Sequence, residues 1–267
     1  MPKAPINGID IYYESHGDES APAIVFAHGR GGNHMSWWQQ VSVFSSEYRC
    51  VTFDHRGWGA SIAEHGSPLR ENFINDLTGL LDYLNIDKAF LVSQSMGGFS
   101  CLGFALAHPE RTLGLVLGDT TGGVATEGTL AALQKATPPP DGPSRSLSAG
   151  FINENPELTF LYNQIQGLNP SRGEDGIISG FRLKDGPNVA DFAGWTVPTL
   201  LIVGNEDAIF PPQVIAEVQK VIPESRMEVV PGAAHSAHFE EAKIFNKLIA
   251  ELFDQVRSKN EAGALAD

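Results

Sequence analysis

The stretch "AFLVSQSMGGFSCLGFALAHPER", residues 89–111, decides how this chain is read. Its first six residues form an apolar block that ends at a short turn. The residues from 98 onward carry a helical pattern. A solid apolar block bounded by glycines is what a strand buried on both faces of a parallel sheet looks like. The turn between them, Ser93-Gln94-Ser95-Met96-Gly97, differs at one residue from G-x-S-x-G. In that motif a strained strand-to-helix turn holds a serine hydroxyl above a sheet. Here a serine stands at the first glycine. Two readings compete: a nucleophile on its elbow, and an ordinary strand-to-helix turn that contains serines. Ser95, with Gly97 two residues on, is the serine in register. Ser93 adds only a hydroxymethyl group at a position that must be small, because strand and helix pass closely there. The following helix N-terminus also favours developing negative charge.

Working outward, similar apolar runs recur at 9–15, 23–28, 50–54, 113–119, 199–204 and 227–232. Helical patterns lie between them at 36–48, 72–86, 98–111, 213–222 and 242–258. In "NFINDLTGLLDYLNI" the residues Phe73, Leu77, Leu80, Leu81 and Leu84 share one face. Strand and helix in alternation imply βαβ units, an α/β class and a mostly parallel central sheet flanked by helices. The run at 9–15 alternates more and reads as an antiparallel edge. Residues 121–194 contain no convincing buried strand and read as a helical cap inserted into a core of 1–120 and 195–258. The proline run "TPPPDGPS" would be its hinge or stiff connector. Such an insertion would project beyond the C-terminal edge of the sheet, where open α/β folds bind ligands. Residues 259–267 read as a disordered tail.

Composition narrows the function classes. Of 267 residues, 42% are apolar and 19% charged, enough for a sizeable core and too apolar for disorder. The net charge of −14 works against nucleic acid or an anionic membrane as partner. A small molecule is the expected substrate, with the chain a monomer or homo-oligomer. Cys50 and Cys101 lie among apolar residues without pairing or C-x-x-C spacing, so both read as buried thiols. No histidine pair has metal-site spacing on a helix, and no metal or cofactor is expected. No secretory h-region and no run of about 18 apolar residues is visible, so a cytoplasmic protein is expected.

A serine nucleophile needs a base, and the base needs an orienting acid. "TLLIVGNEDAIFPP" offers Asp207 just past an apolar strand, with Glu206 as competitor; the alternative for Asp207 is a loop aspartate or helix cap. "MEVVPGAAHSAHFEEAKIF" offers His235 directly after the last strand, with His238 three residues on reading as the start of the C-terminal helix. Each histidine alone is more often a packing residue. The order Ser95, Asp207, His235, each at a strand end on one sheet edge, carries the functional reading. An oxyanion also needs donors. The backbone N–H of Met96 is one, and the loop "AHGRGGN", freed by Gly29, Gly31 and Gly32, supplies the other from Arg30, with Gly31 as alternative. That loop has neither G-x-G-x-x-G spacing nor a Walker lysine, so nucleotide binding is not expected.

Over nearly its full length the chain resembles the α/β-hydrolase fold superfamily. The matching pieces are "HGRGGN", "FDHRGWGAS", "SQSMGG", "VGNEDAIFPP" and "PGAAHSAHFEE". The resemblance implies that Asp54 and Arg56 tie loops together rather than act in catalysis. It also implies a second acid site, which here is Asp119. Ser93 and Ala234 replace glycines that many relatives carry, both small-for-small changes. The implied activity is a serine hydrolase acting on a small carboxylic ester or lactone through an acyl-enzyme. An enol-lactone or C–C bond hydrolase using the same triad is the nearest alternative, in which Arg30 would meet a substrate carboxylate. Perhydrolase-like side activity fits the same site. Epoxide hydrolases and dehalogenases of the superfamily use aspartate at the elbow, which argues against them. From a different class, a ligand-binding receptor with slow turnover would keep the same fold. Phe151, Phe160, Leu161, Tyr162 and Phe181 are expected to line an apolar pocket or to form the insertion's own core. Trp37 and Trp38 either line its entrance or anchor a helix.

Overall fold

The computed structural model describes residues 2–64, 70–137, 145–170 and 185–264. Among these, eight strands form one sheet: β1 (Lys3–Ile6), β2 (Ile9–His16), β3 (Ala23–Ala27), β4 (Arg49–Phe53), β5 (Ala89–Gln94), β6 (Thr112–Gly118), β7 (Thr199–Gly204) and β8 (Arg226–Val230). Their spatial order is β1-β2-β4-β3-β5-β6-β7-β8. From β4 to β8 all neighbours pair parallel, whereas β1–β2 and β2–β4 pair antiparallel. The strand expected at 9–15 is therefore antiparallel as anticipated but not the edge. β1 covers it through a hairpin whose turn is Asn7-Gly8, both at positive φ (47° and 83°). That dipeptide is the favoured composition for a two-residue turn matching strand twist.

The solid apolar runs are explained by burial on both faces. Val25, Ala27, Leu91, Leu115, Leu117, Leu201 and Val203 pack on one side against α2 (Phe73–Tyr83), α3 (Gly97–Ala107) and α7 (Pro212–Gln219). The alternate residues Ile24, Phe26, Val92, Val116, Leu200 and Ile202 pack on the other against α1 (Trp38–Phe44) and α9 (Ala242–Ala264). Each fully buried Leu or Phe contributes about 1.5–3 kcal/mol of transfer free energy, so burial on both faces holds the sheet between its helical layers. All five residues of the predicted α2 face are buried. Both cysteines are buried and free.

Three points differ from expectation. α1 is shorter than 36–48, because its first turn, His34–Trp37, is a separate 3-10 turn capped by Asn33. α9 continues to Ala264, past the 258 expected from its pattern and into residues that read as a tail. Among the described residues between β6 and β7, α4 (Glu127–Leu133) packs against α7 on the flank of the core, whereas α5 (Ala149–Glu154) and α6 (Pro156–Gly167) pack on Phe239, beyond β8. Most of the proline run, with "GIISGFRL" and Phe181, lies outside the described residues. None of the described helices is long and apolar enough to cross a membrane.

Candidate active site

β5 delivers its chain to α3 through a tight turn at Ser95, whose φ is +49°. A non-glycine residue there costs about 1–3 kcal/mol and persists only where its surroundings hold it. Here Ser95 N–H donates to Gly118 O at 3.0 Å, and the Thr120 hydroxyl donates to Ser95 O at 2.7 Å. The helix passes so close to β3 that a Cβ at Gly97 would strike the Ala27 carbonyl. Position 93 is different: the fully buried Ser93 hydroxyl donates to Val116 O at 2.8 Å. The residue that departs from the motif is thus satisfied by the neighbouring strand.

Asp207 follows the end of β7, and His235 follows β8. One carboxylate oxygen of Asp207 accepts the N–H groups of Ile209 (2.8 Å) and Phe210 (3.0 Å). The other faces His235 Nδ1 at 2.8 Å. An ionised carboxylate can only accept, so Nδ1 carries the proton and Nε2 is left as the acceptor toward Ser95 Oγ, also at 2.8 Å. Burial alone would lower the pKa of His235, but the Asp207 charge and hydrogen bond outweigh it and the net shift is upward. Sequence order placed these three residues at one edge, and the structure brings all three into hydrogen-bonding contact.

The competing residues stand elsewhere. Glu206 is exposed and makes no bond to the ring. Asp119 is fully buried, but its oxygens accept Gly204 N–H (3.0 Å) and Ala237 N–H (2.9 Å) rather than the imidazole. Its pKa is raised by burial and then by the Asp207 charge. It therefore ties β6, β7 and the His235 loop together. His238 lies in the short α8 (Ala237–Glu240), against Trp37 at 4.6 Å between ring centroids. Burial, with the His235 charge, pushes its pKa down to about 3, so it stays neutral.

The glycine loop after β3 is held in one orientation by a residue that sequence reasoning passed over. His28 Nε2 accepts His55 N–H at 3.0 Å, so its proton sits on Nδ1, which donates to Gly29 O at 2.7 Å. Gly32 N–H donates to the same carbonyl at 3.0 Å. A trans peptide sets C=O and N–H on opposite sides, so fixing Gly29 O aims the Arg30 N–H the other way. Trp58 Nε1 in turn holds Arg30 O at 2.7 Å. Neither the Arg30 nor the Met96 N–H is spent on a turn or cap bond among the described residues. The His235 loop is fixed as firmly. Gln94, beside the nucleophile candidate, donates to His235 O at 2.6 Å. Glu240 accepts Ala234 N–H (2.9 Å) and Ser148 N–H (2.7 Å). The only sequence signals for Gln94 and His28 were their places inside the two motifs.

Ser95, Met96, Arg30 and His235 open onto a cavity of about 410 Å³. Its apolar wall comes mainly from Phe73, Phe99, Ile209, Phe210, Ile165 and Phe239. Of the residues expected to line it, Tyr162 does so and bonds Ser236 Oγ at 2.9 Å. Phe151 instead forms a small core with Leu147, Ile165 and Phe239, against which Leu161 packs. Phe160 is 65% exposed, Trp37 is wholly buried behind the site, and Trp38 is half out in solvent. Asp54 accepts His34 and Ala60 N–H groups, and Arg56 pairs with Asp76 at 2.6 Å, so both tie loops as the resemblance implied.

Comparison with known proteins agrees with this fold. Residues 22–242 match the family model described as alpha/beta hydrolase fold. The chain is 28% identical over 250 residues to 3-oxoadipate enol-lactonase 1 of Acinetobacter baylyi, covering 91% of this chain and 92% of that one. It is 30% identical over 263 residues to a 2-hydroxy-6-oxononadienedioate/2-hydroxy-6-oxononatrienedioate hydrolase of Burkholderia vietnamiensis, covering 90% of each. A thermophilic esterase from Thermogutta terrifontis superposes with a TM-score of 0.76 at 25% identity, over 96% of this chain and 98% of that one.

Proposed function

The chain belongs to the α/β-hydrolase fold family, and from that premise we propose that it is a serine hydrolase cleaving a small carboxylic ester or lactone. The observation that carries this reading is the unbroken relay Ser95–His235–Asp207, with 2.8 Å at each link. Ser95 Oγ attacks the carbonyl carbon while His235 Nε2 takes its proton. The carbonyl oxygen becomes an oxyanion between the N–H groups of Met96 and Arg30. Each such donor is worth roughly 3–4 kcal/mol in the transition state. Collapse expels the alcohol oxygen, which leaves with the proton from His235. Water then attacks the acyl-enzyme with His235 again as base, releasing the acid and restoring the serine. Asp207 keeps the proton on Nδ1 and stabilises the imidazolium. With a lactone both products remain in one molecule, a hydroxy acid. The relative named as an enol-lactonase favours including lactones among the substrates to be tried.

The experiment is turnover of p-nitrophenyl esters and lactones by the wild type and by Ser95→Ala, with labelling by a fluorophosphonate probe. Turnover is expected to fall by about five to six orders of magnitude in Ser95→Ala, with labelling lost and the fold retained. Wild-type turnover in that variant would overturn the assignment. A single turnover without recycling would instead identify a ligand-binding receptor.

A further inference from the structure

In the loop after β3 every carbonyl from Gly29 to Gly32 is taken, and the bonds come from two sources. His28 and Trp58, both buried in the core, hold Gly29 O and Arg30 O, each at 2.7 Å. Asn169, just past the end of α6, holds the next two. Its Nδ2 donates to Gly31 O at 3.0 Å and to Gly32 O at 3.1 Å. Its Oδ1 accepts Gly59 N–H at 3.1 Å, from the loop after β4 that also carries Trp58. Two carbonyls on one side and an N–H on the other fix which way the amide faces. Asn169 N–H donates to Gln166 O at 3.1 Å, and Asn33 Nδ2 donates to Ile165 O at 2.7 Å, so loop and helix each hold the other. The approach is close: a Cβ at Gly31 would stand 3.2 Å from Gln166 Nε2.

The bond to Gly31 O reaches the oxyanion donor through the backbone. Gly31 O and Gly32 N–H belong to one trans peptide and point opposite ways. With Gly31 O held by Asn169, Gly32 N–H is aimed back at Gly29 O, which it meets at 3.0 Å. Gly29 O in turn shares a peptide with the Arg30 N–H. His28 holds that peptide directly, and Asn169 holds it one peptide removed. We propose that Asn169 is a positioning residue for the hydrolysis, setting the Arg30 N–H toward the oxyanion from the end of α6. The inference rests on the serine-hydrolase reading. It makes α6, which also walls the cavity through Tyr162, Ile165 and Gln166, part of the catalytic geometry. A displacement of α6 from the loop would then loosen an oxyanion donor along with the cavity wall. Nothing in the sequence marks Asn169, which stands 138 residues from Gly31.

The test combines p-nitrophenyl acetate with two inhibitors of one skeleton, an alkyl trifluoromethyl ketone and the matching methyl ketone. Ser95 adds to the first to give an oxyanion, whereas the second occupies the cavity without one. Asn169→Ala is expected to lower kcat by about 3- to 30-fold with little change in KM, below the ceiling of about 10²–10³ for full loss of a donor. The trifluoromethyl ketone should weaken by a similar factor and the methyl ketone should not. Asn169→Asp keeps an acceptor for Gly59 but turns a carboxylate on two carbonyls. It should lose about 10- to 100-fold, and it carries the test if the Ala variant fails to fold. Asn169→Ala combined with His28→Gln should approach the ceiling. Unchanged kcat in both Asn169 variants, or a loss without selective weakening of the trifluoromethyl ketone, overturns the inference; Asn169 then only docks α6. Ser95-dependent turnover would still support the hydrolase in that case. Turnover that survives Ser95→Ala overturns the hydrolase reading itself.

Discussion

Replacing His28 by Gln and by Asn separates two bonds made by one imidazole. Its Nδ1–H donates to Gly29 O at 2.7 Å, and its Nε2 accepts His55 N–H at 3.0 Å. The amide nitrogen of Asn falls near the place of Nδ1, and the amide of Gln reaches toward the place of Nε2. Asn therefore keeps the anchor on Gly29 O and leaves His55 N–H unsatisfied. Gln keeps an acceptor for His55 and releases the Gly29 carbonyl. The Gly29–Arg30 peptide is then held by Gly32 N–H alone. Full loss of an oxyanion donor costs about 10²–10³ in kcat, which is the ceiling. With one of two anchors left, Gln is expected to lower kcat by about 10- to 100-fold with little change in KM, and Asn by less than about fivefold. Stability should run the other way. Asn buries an unpaired backbone N–H and is expected to cost about 1–3 kcal/mol, more than Gln. Steady-state hydrolysis of p-nitrophenyl acetate and urea unfolding measure the two effects. If both variants lose rate and stability in the same order, His28 is a packing residue and the account of the loop is wrong.

The pH profile follows from His235. Its pKa is held above the ordinary value of about 6.5 because Asp207 outweighs burial, and the base must be neutral to act. kcat/KM should therefore be lost as pH falls through a midpoint above about 6.5. Asp207→Asn should move that midpoint down and lower kcat by about 10⁴-fold; an unmoved limb would show that another group titrates. Ser93→Gly restores the usual motif but removes a buried hydrogen bond and adds strand entropy. It is expected to cost about 1.5–2.5 kcal/mol, or about 3–5 °C in Tm, with activity nearly unchanged. A rise in Tm would show that the Ser93 hydroxyl contributes nothing.

The parts of this molecule that were legible in sequence are those where one chain segment decides its own environment. β5, β6 and β7 are apolar on both faces, so each run announces a buried parallel strand. Ser95 and Asp207 follow β5 and β7 closely, whereas His235 follows β8, whose residues are mostly half-buried or exposed; a parallel sheet puts all three positions on one edge. β1 escaped because only Ala4 and Ile6 of its four residues are buried, too short a pattern to register, although Asn7-Gly8 marked its turn. The cavity was legible least. Its wall is assembled from Phe73, Phe99, Ile165, Phe210 and Phe239, each one apolar residue among many in its own segment. Phe151 and Phe160 carried the same signal, yet one turned to a small core and the other to solvent.

The elbow shows why a motif position should be read by what surrounds it. The two glycines of G-x-S-x-G are not equivalent in this protein. At 97 a side chain would meet the backbone of β3, which cannot yield without moving the sheet. At 93 the added group points at Val116 O, a carbonyl able to accept a further bond, and a hydroxymethyl is the smallest side chain that can donate one. A serine is thus tolerated at the first position because it brings its own compensation. The same logic applies to the residue between the serines. Gln94 is free to vary in the motif, yet here it holds the His235 carbonyl and so couples the Ser95 turn to the His235 loop. The geometry of the triad is set by these backbone anchors as much as by the triad's own two bonds, since Gln94, Asp119 and Glu240 each fix a loop that carries one of its members.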